Sequence, residues 1–253
     1  MAFVRQLGSA QDLAVKGSVN KMDYVGVMDG HGGNKCINLL RGYNYDDIAV
    51  CSDPVQELMN RLSTTDLYMS GSTFTFARIT GGRIEVFSVG DSQTAVFVNE
   101  ELVYITPQHN FQNEAELFRT KSLMTKIELT FAPFPVSETE VQNVRSDVGY
   151  FKTGERLVPS QSLGHNNMTR IAPERKEILF GEQDKVRVIC ASDGFWDMYM
   201  EHSPMLATAS PEELINEAER RWRQTWTYVS QGTSVQTSYG DCFDDIAISV
   251  WEN

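Results

Sequence analysis

Cysteine and histidine are scarce in this chain of 253 residues, four of each. Cys36, Cys51, Cys190 and Cys242 form no C-x-x-C pair and no metal-finger spacing, and three of them sit among apolar neighbours as small core residues do. A thiolate zinc site is thereby excluded, and reduced thiols in a cytosol are the simplest reading. Long apolar runs are missing too: nothing approaches the ~18 uninterrupted residues of a membrane span, and residues 1–13 lack the basic start and apolar stretch of a secretory signal. The expectation is a soluble, cytoplasmic protein that needs no membrane. Basic residues are the third deficit, 22 Lys and Arg against 34 Asp and Glu for a net charge of −12. Such a chain is repelled by nucleic-acid phosphates unless it carries a basic patch, and no patch is present, so nucleic acid is not an expected partner. What is present, 41% hydrophobic and 22% charged residues, is the composition of a folded domain of one core.

Along the chain, Tyr24 to Met28 (YVGVM) reads as a buried strand that breaks at Asp29-Gly30-His31-Gly32-Gly33. Two helices are expected between Asn34 and Ser70, the second opened by Pro54. Ser72 to Tyr104 is β-rich and punctuated by turn signals, the pattern of an antiparallel meander. Gln112 to Ser122 reads as a helix with Ala115, Leu117 and Phe118 on its apolar side, and about 121–157 reads as an irregular, variable flap. Val186 to Ala191 is a second strand ending at Ser192-Asp193-Gly194. Pro211 opens a helix through Trp222 and Trp226, whose indoles pack a core, and Asp244-Asp245 leads into the strand IAISVW.

Asp29, Asp193 and the pair Asp244-Asp245 thus lie at the edges of near-continuous apolar strands. Singly, each is an ordinary turn residue. If those strands share a rim, three or four carboxylates meet there, and their repulsion is costly unless cations neutralise it. An oxygen-only ligand set selects Mg²⁺ or Mn²⁺ over Zn²⁺.

VGVMDGHGG (25–33), STFTFARI with SVGDSQTAVF (72–97), ASDGFWDM (191–198) and DDIAISV (244–250) resemble, in order and approximate spacing, the metal-dependent Ser/Thr protein phosphatases of the 2C type over nearly the whole chain. That resemblance implies an α+β fold in one domain: a β-sandwich of two mostly antiparallel sheets flanked by helices on both sides. It implies hydrolysis of phosphoserine and phosphothreonine on a phosphoprotein substrate by metal-activated water, without a phosphoenzyme, and two Mg²⁺ or Mn²⁺ ions. By the same resemblance Asp29 bridges two metals, Gly30 offers a carbonyl to the second, Asp193 and Asp244 complete the first, and Asp197 serves a third. His31 matches the general acid. Asp91, in the GDS turn, reads as a turn former rather than a ligand.

Several positions depart from the family pattern. The Glu-Asp pair upstream of the DGH turn is matched best by Gln11-Asp12, so that Asp12 is carried over as a metal-site residue, an amide replaces the charged ligand beside it, and the second cation should bind more weakly. A register on Lys21-Met22-Asp23 leaves too few residues for a returning strand pair. Leu7 stands at the place of the phosphate-holding arginine, with Arg5 the nearest candidate for that duty. Gln108 replaces a third-metal carboxylate, and His165 ends what is usually Leu-Gly-Asp. These changes leave open a catalytically impaired relative acting as a binding module, and more remotely an unrelated metal-dependent hydrolase. The composition carries no information on oligomeric state.

Overall fold

Strand alternation in the computed structural model sorts the apolar residues into three layers; residues 1–199, 203–230, 233–240 and 242–253 are described. One sheet of seven strands is centred on Met22–Gly32, which pairs with Asp12–Val19, Ser70–Ser72 and Phe74–Thr80; a second, of five strands, has Val186–Ala191 and Ile246–Glu252 at its middle. Every second residue faces the partner sheet: Val25, Val27, Ala77 and Val86 from the first meet Val96, Val188, Cys190, Ala247 and Trp251 from the second. Each such aliphatic side chain contributes about 1.5–3 kcal/mol by leaving water.

The residues between them cover the outside. Tyr24, Met28, Phe74 and Phe76 pack against Ile37, Leu40, Ile48 and Leu58 of the helices Lys35–Arg41, Tyr45–Val50 and Pro54–Leu62. Ile189, Ile246, Ile248 and Val250 pack against Leu214, Ile215, Ala218 and Trp222 of the helix Pro211–Arg223. That helix starts on a capping box, Ser210 with Glu213. The expected α+β sandwich with helices on both sides is therefore the observed architecture.

Local expectations fare unevenly. Three helices, not two, fill 34–70, because Asn44 and Asp53 each cap a new start. The expected meander is two hairpins in opposing sheets: Arg83–Val89 belongs to the first and Gln93–Val98 to the second, so the chain crosses at Gly90-Asp91-Ser92. The helix Glu114–Thr120 buries Glu116 and Thr120 and leaves Phe118 84% exposed, since Glu116 is held by Arg119, Ser160 and Gln161. The flap is not irregular: Met124–Glu128, Val148–Phe151 and Arg156–Leu157 form one small sheet, while Phe131–Pro135 and Glu140–Arg145 join Trp226–Ser230 and Thr233–Thr237 in another. Trp226 consequently begins a strand rather than continuing the helix, although it and Trp222 are both buried as expected. Cys36 and Cys190 are core residues, whereas Cys51 is half-buried at a helix end and Cys242 is exposed.

Candidate active site

Chain reversals at one end of both sheets build the acidic rim. Asn20 and Lys21, with φ of 52° and 63°, turn Asp12–Val19 back onto Met22–Gly32 and set Asp12 directly across from Asp29. The Gln11-Asp12 register is thus the one adopted, and Lys21-Met22-Asp23 is only the turn and its exit. Asp12 lies beneath the cleft rather than on its wall: its Oδ2 accepts from Ser192 Oγ (2.8 Å), whose oxygen accepts from the Ala247 amide (2.9 Å), and its Oδ1 is buried with no hydrogen-bond partner.

From the five-stranded sheet, Asp193 opens the short helix Asp193–Trp196 and accepts from the Gly194 amide at 2.8 Å. Gly194 admits no side chain, since a Cβ there would stand 2.1 Å from the Asp245 carbonyl oxygen. Of the Asp244-Asp245 pair, Asp244 faces the cleft, while Asp245 accepts from Gly8 N (2.7 Å), Ser9 Oγ (3.1 Å) and Gln11 N (2.8 Å) and so ties down the amino-terminal loop. The cleft measures about 510 Å³ and brings together Asp29, Gly30, His31, Asp193, Asp197 and Asp244, all anticipated from the sequence, with Gln11 beside them. Asp91 joins them: it sits in a turn, as expected, but that turn carries the chain between the two sheets at this rim, so the residue is buried and lines the same cleft. That the GDS turn joins strands of opposing sheets was the signal that could have found it.

Burial first, and repulsion from neighbouring carboxylates next, raise Asp12, Asp29, Asp91, Asp197 and Asp244 above the usual range. Asp12, Asp29, Asp91 and Asp197 are all shifted up in this way, with Asp193's negative charge pushing in the same direction on each. Asp244 is raised to about 7, by burial first and Asp193 second. The donors are hard oxygens in excess of positive charge, with one buried carboxylate oxygen orphaned, and this set fits divalent cations such as Mg²⁺ or Mn²⁺. Among the described residues, no three His, Cys, Asp or Glu side chains close on a single point as a ready ligand set.

His31, half-buried, approaches Ser162 Oγ with its Nε2 at 2.9 Å and stacks on His165, ring centroids 5.1 Å apart. Burial, then the neighbouring His165, pushes its pKa down to about 3, so the free imidazole is neutral. His165 is held in turn by Glu155, Nδ1 to Oε1 at 2.8 Å, and both side chains are buried. The ring lies against Gly71, where a Cβ would meet His165 Cδ2 at 2.2 Å and Ser162 Oγ at 2.4 Å. Gly71→Ala is therefore expected to cost about 2 kcal/mol, lowering Tm by roughly 4–8 °C in a thermal melt. This His165–Glu155 pair has no sequence signal beyond the departure at position 165.

Arg5 is a correction: it donates to Asn216 Oδ1 (3.1 Å) and pairs with Glu219 (3.4 Å) on the helix Pro211–Arg223, away from the cleft. Leu7 packs against the core. Gln108 donates to Gln93 Oε1 (3.1 Å) and accepts from Asn110 (2.9 Å), beside a hollow that shares Asp91, Asp193 and Asp197 with the cleft.

Comparison with known proteins agrees. The family model "Protein phosphatase 2C" matches residues 5–203. The chain is 23% identical over 216 residues to probable protein phosphatase 2C 76 of Arabidopsis thaliana, covering 79% of this chain and 47% of that protein, so it spans about half the relative's length. Serine-threonine phosphatase 2C from Toxoplasma gondii superposes with a TM-score of 0.62 at 16% identity, over 100% of this chain and 94% of that one. The catalytic domain of serine threonine protein phosphatase PstP, solved with two manganese ions, gives a TM-score of 0.51 at 16% identity, over 99% and 97%.

Proposed function

Because the chain belongs to the protein phosphatase 2C family, we propose that it is a metal-dependent phosphoprotein phosphatase that hydrolyses phosphoserine and phosphothreonine by attack of water, with no phosphoenzyme. The observation that carries this reading is the convergence of Asp29, Asp91, Asp193, Asp197 and Asp244, from both sheets, on one cleft. Asp29, the Gly30 carbonyl, Asp193 and Asp244 would hold two Mg²⁺ or Mn²⁺ ions, and Asp91 and Asp197 would serve a third position. Bound there, such ions supply an acidified water and neutralise charge on the phosphoryl oxygens. Gln11 turns its amide nitrogen to Asn34 Oδ1 (2.6 Å), which leaves the second position one charge poorer and raises the Mn²⁺ concentration needed. Thiol chemistry has no part in it: burial pushes Cys36 and Cys190 up to about 12.

His31 is the proton donor to the departing serine or threonine oxygen. It is neutral in the free protein, and a phosphate dianion entering the cleft favours the imidazolium, so His31 takes up a proton from solvent as the substrate binds and gives it to the departing oxygen. His165, fixed by Glu155, holds the His31 ring in its orientation. The phosphoprotein partner and an intracellular site of action belong to this reading; among the described residues no helix is long and apolar enough to cross a membrane.

Turnover of a phosphothreonine peptide with Mn²⁺ and none with chelator is the expected result, and equal, negligible rates in both reject the proposal. Assaying His31→Gln on that peptide and on an aryl phosphate tests the acid. A fall of about 100-fold on the peptide and less than about 10-fold on the aryl ester is expected, because phenolate leaves without protonation. Equal losses on both would remove His31 from that role.

A further inference from the structure

The acidic cleft must accept a phosphate dianion, yet the amino-terminal arginine that would hold it is replaced by Leu7, and Arg5 is committed to Asn216 and Glu219. Arg145, at the adjoining hollow, is taken up by the buried Asp147, with Nε 2.8 and 2.7 Å from its two carboxylate oxygens. Among the described residues, Arg156 is the only Lys or Arg that lines the cleft. It sits on Arg156–Leu157, whose backbone is paired to Gly149 and Tyr150, with the exposed guanidinium 5.7 Å from the centre of the Tyr150 ring. Glu128, the nearby acid on the same small sheet, is already engaged by Tyr150 Oη (2.5 Å) and Lys126 (3.6 Å).

The flap wall around Arg156 also carries Ala132, Phe134, Leu157, Val158 and Pro159, with Ser146 and the buried, His165-bound Glu155 as its polar members. A phosphoryl group in the cleft has this one exposed guanidinium within its lining, free of hydrogen-bonded partners among the described residues and able to swing over the opening, and a guanidinium matches phosphate oxygens two at a time. Resting on the phosphatase reading above, we propose that Arg156 is the substrate-phosphate anchor of this chain, the duty having moved from the amino-terminal segment to the flap.

The test combines kinetics with binding. For Arg156→Ala with Mn²⁺, KM for a phosphothreonine peptide should rise roughly 10- to 100-fold while kcat changes by less than about 3-fold. Arg156→Lys, which keeps the charge and loses the fork, should fall between. Thermal melts of both should match the wild type within about 2 °C, since the side chain is exposed; if Arg156→Ala does not fold, Arg156→Gln takes its place. Calorimetric titration of the Mn²⁺-loaded protein with inorganic phosphate reads the same site without turnover, and the dissociation constant should rise by the same factor. Unchanged KM and unchanged phosphate binding overturn the proposal, as does a wild type that binds no phosphate. If the wild type binds phosphate through Arg156 yet turns over no peptide, the phosphatase reading fails while the anchor stands.

Discussion

Asp193→Asn should lower turnover of a phosphothreonine peptide in Mn²⁺ by at least about 10³-fold, about 4 kcal/mol of barrier, while its Tm in chelator stays unchanged or rises by a few degrees. The two effects have one origin. Asp193's charge acts on Asp12, Asp29, Asp91, Asp197 and Asp244 together, so it is the hub of the repulsion as well as of the cation site. Asparagine preserves the Oδ1 acceptor for the Gly194 amide at 2.8 Å and so the start of the helix Asp193–Trp196. What it removes is one anion that the fold must otherwise accommodate. Initial rates at saturating Mn²⁺ and melts in chelator check the pair of outcomes; retained turnover, or a collapsed melting transition without cations, contradicts the assignment.

The second large effect is the pH dependence of stabilisation by Mn²⁺. Asp244 is raised to about 7 in the folded chain against 3.8 unfolded, so its contribution to stability is full below about pH 4 and is lost as pH rises through 7. Asp12, Asp29, Asp91 and Asp197 are raised in the same sense. At pH 5 a cation must displace protons from these carboxyls; at pH 7.5 it relieves bare repulsion. The rise in Tm on adding Mn²⁺ should therefore be less than about 2 °C at pH 5 and roughly 5–10 °C at pH 7.5. The difference with and without Mn²⁺ is the observable to follow. His31, His109 and His165, all lowered chiefly by burial, bend the raw Tm the other way, because the unfolded chain takes up protons there first as pH falls. Equal Mn²⁺ shifts at the two pH values would show that the acids are not crowded.

Strand pattern and motif order made the sandwich and most of the cleft readable in advance. Alternation in YVGVM and VRVICA is a local property, and the acids at their ends follow from it. What escaped depends on contacts between distant segments. Asp91 looks like a turn residue until the strands on either side of it are known to lie in different sheets. Periodicity points Phe118 inward, but Glu116 takes that face because Arg119, Ser160 and Gln161 satisfy its carboxylate. The flap lacks apolar periodicity because its short strands are largely exposed and mostly pair with one another, with Glu140–Arg145 alone also pairing with Trp226–Ser230, far along the chain. Only nearness in sequence points to Arg5, and nearness in sequence does not decide on which side of a strand a guanidinium emerges.

Ser192 reaches one way to Asp12 and the other to the Ala247 amide, close under carboxylates contributed by both layers. The two leaves of the sandwich are thus pressed together along most of their length by Val188, Trp251 and their neighbours, and pinned by this serine just below the edge where like charges gather. On the proposed reading, cations filling that edge would act as a latch between the layers, and the grip on an entering phosphorylated side chain would be set by the ions it shares.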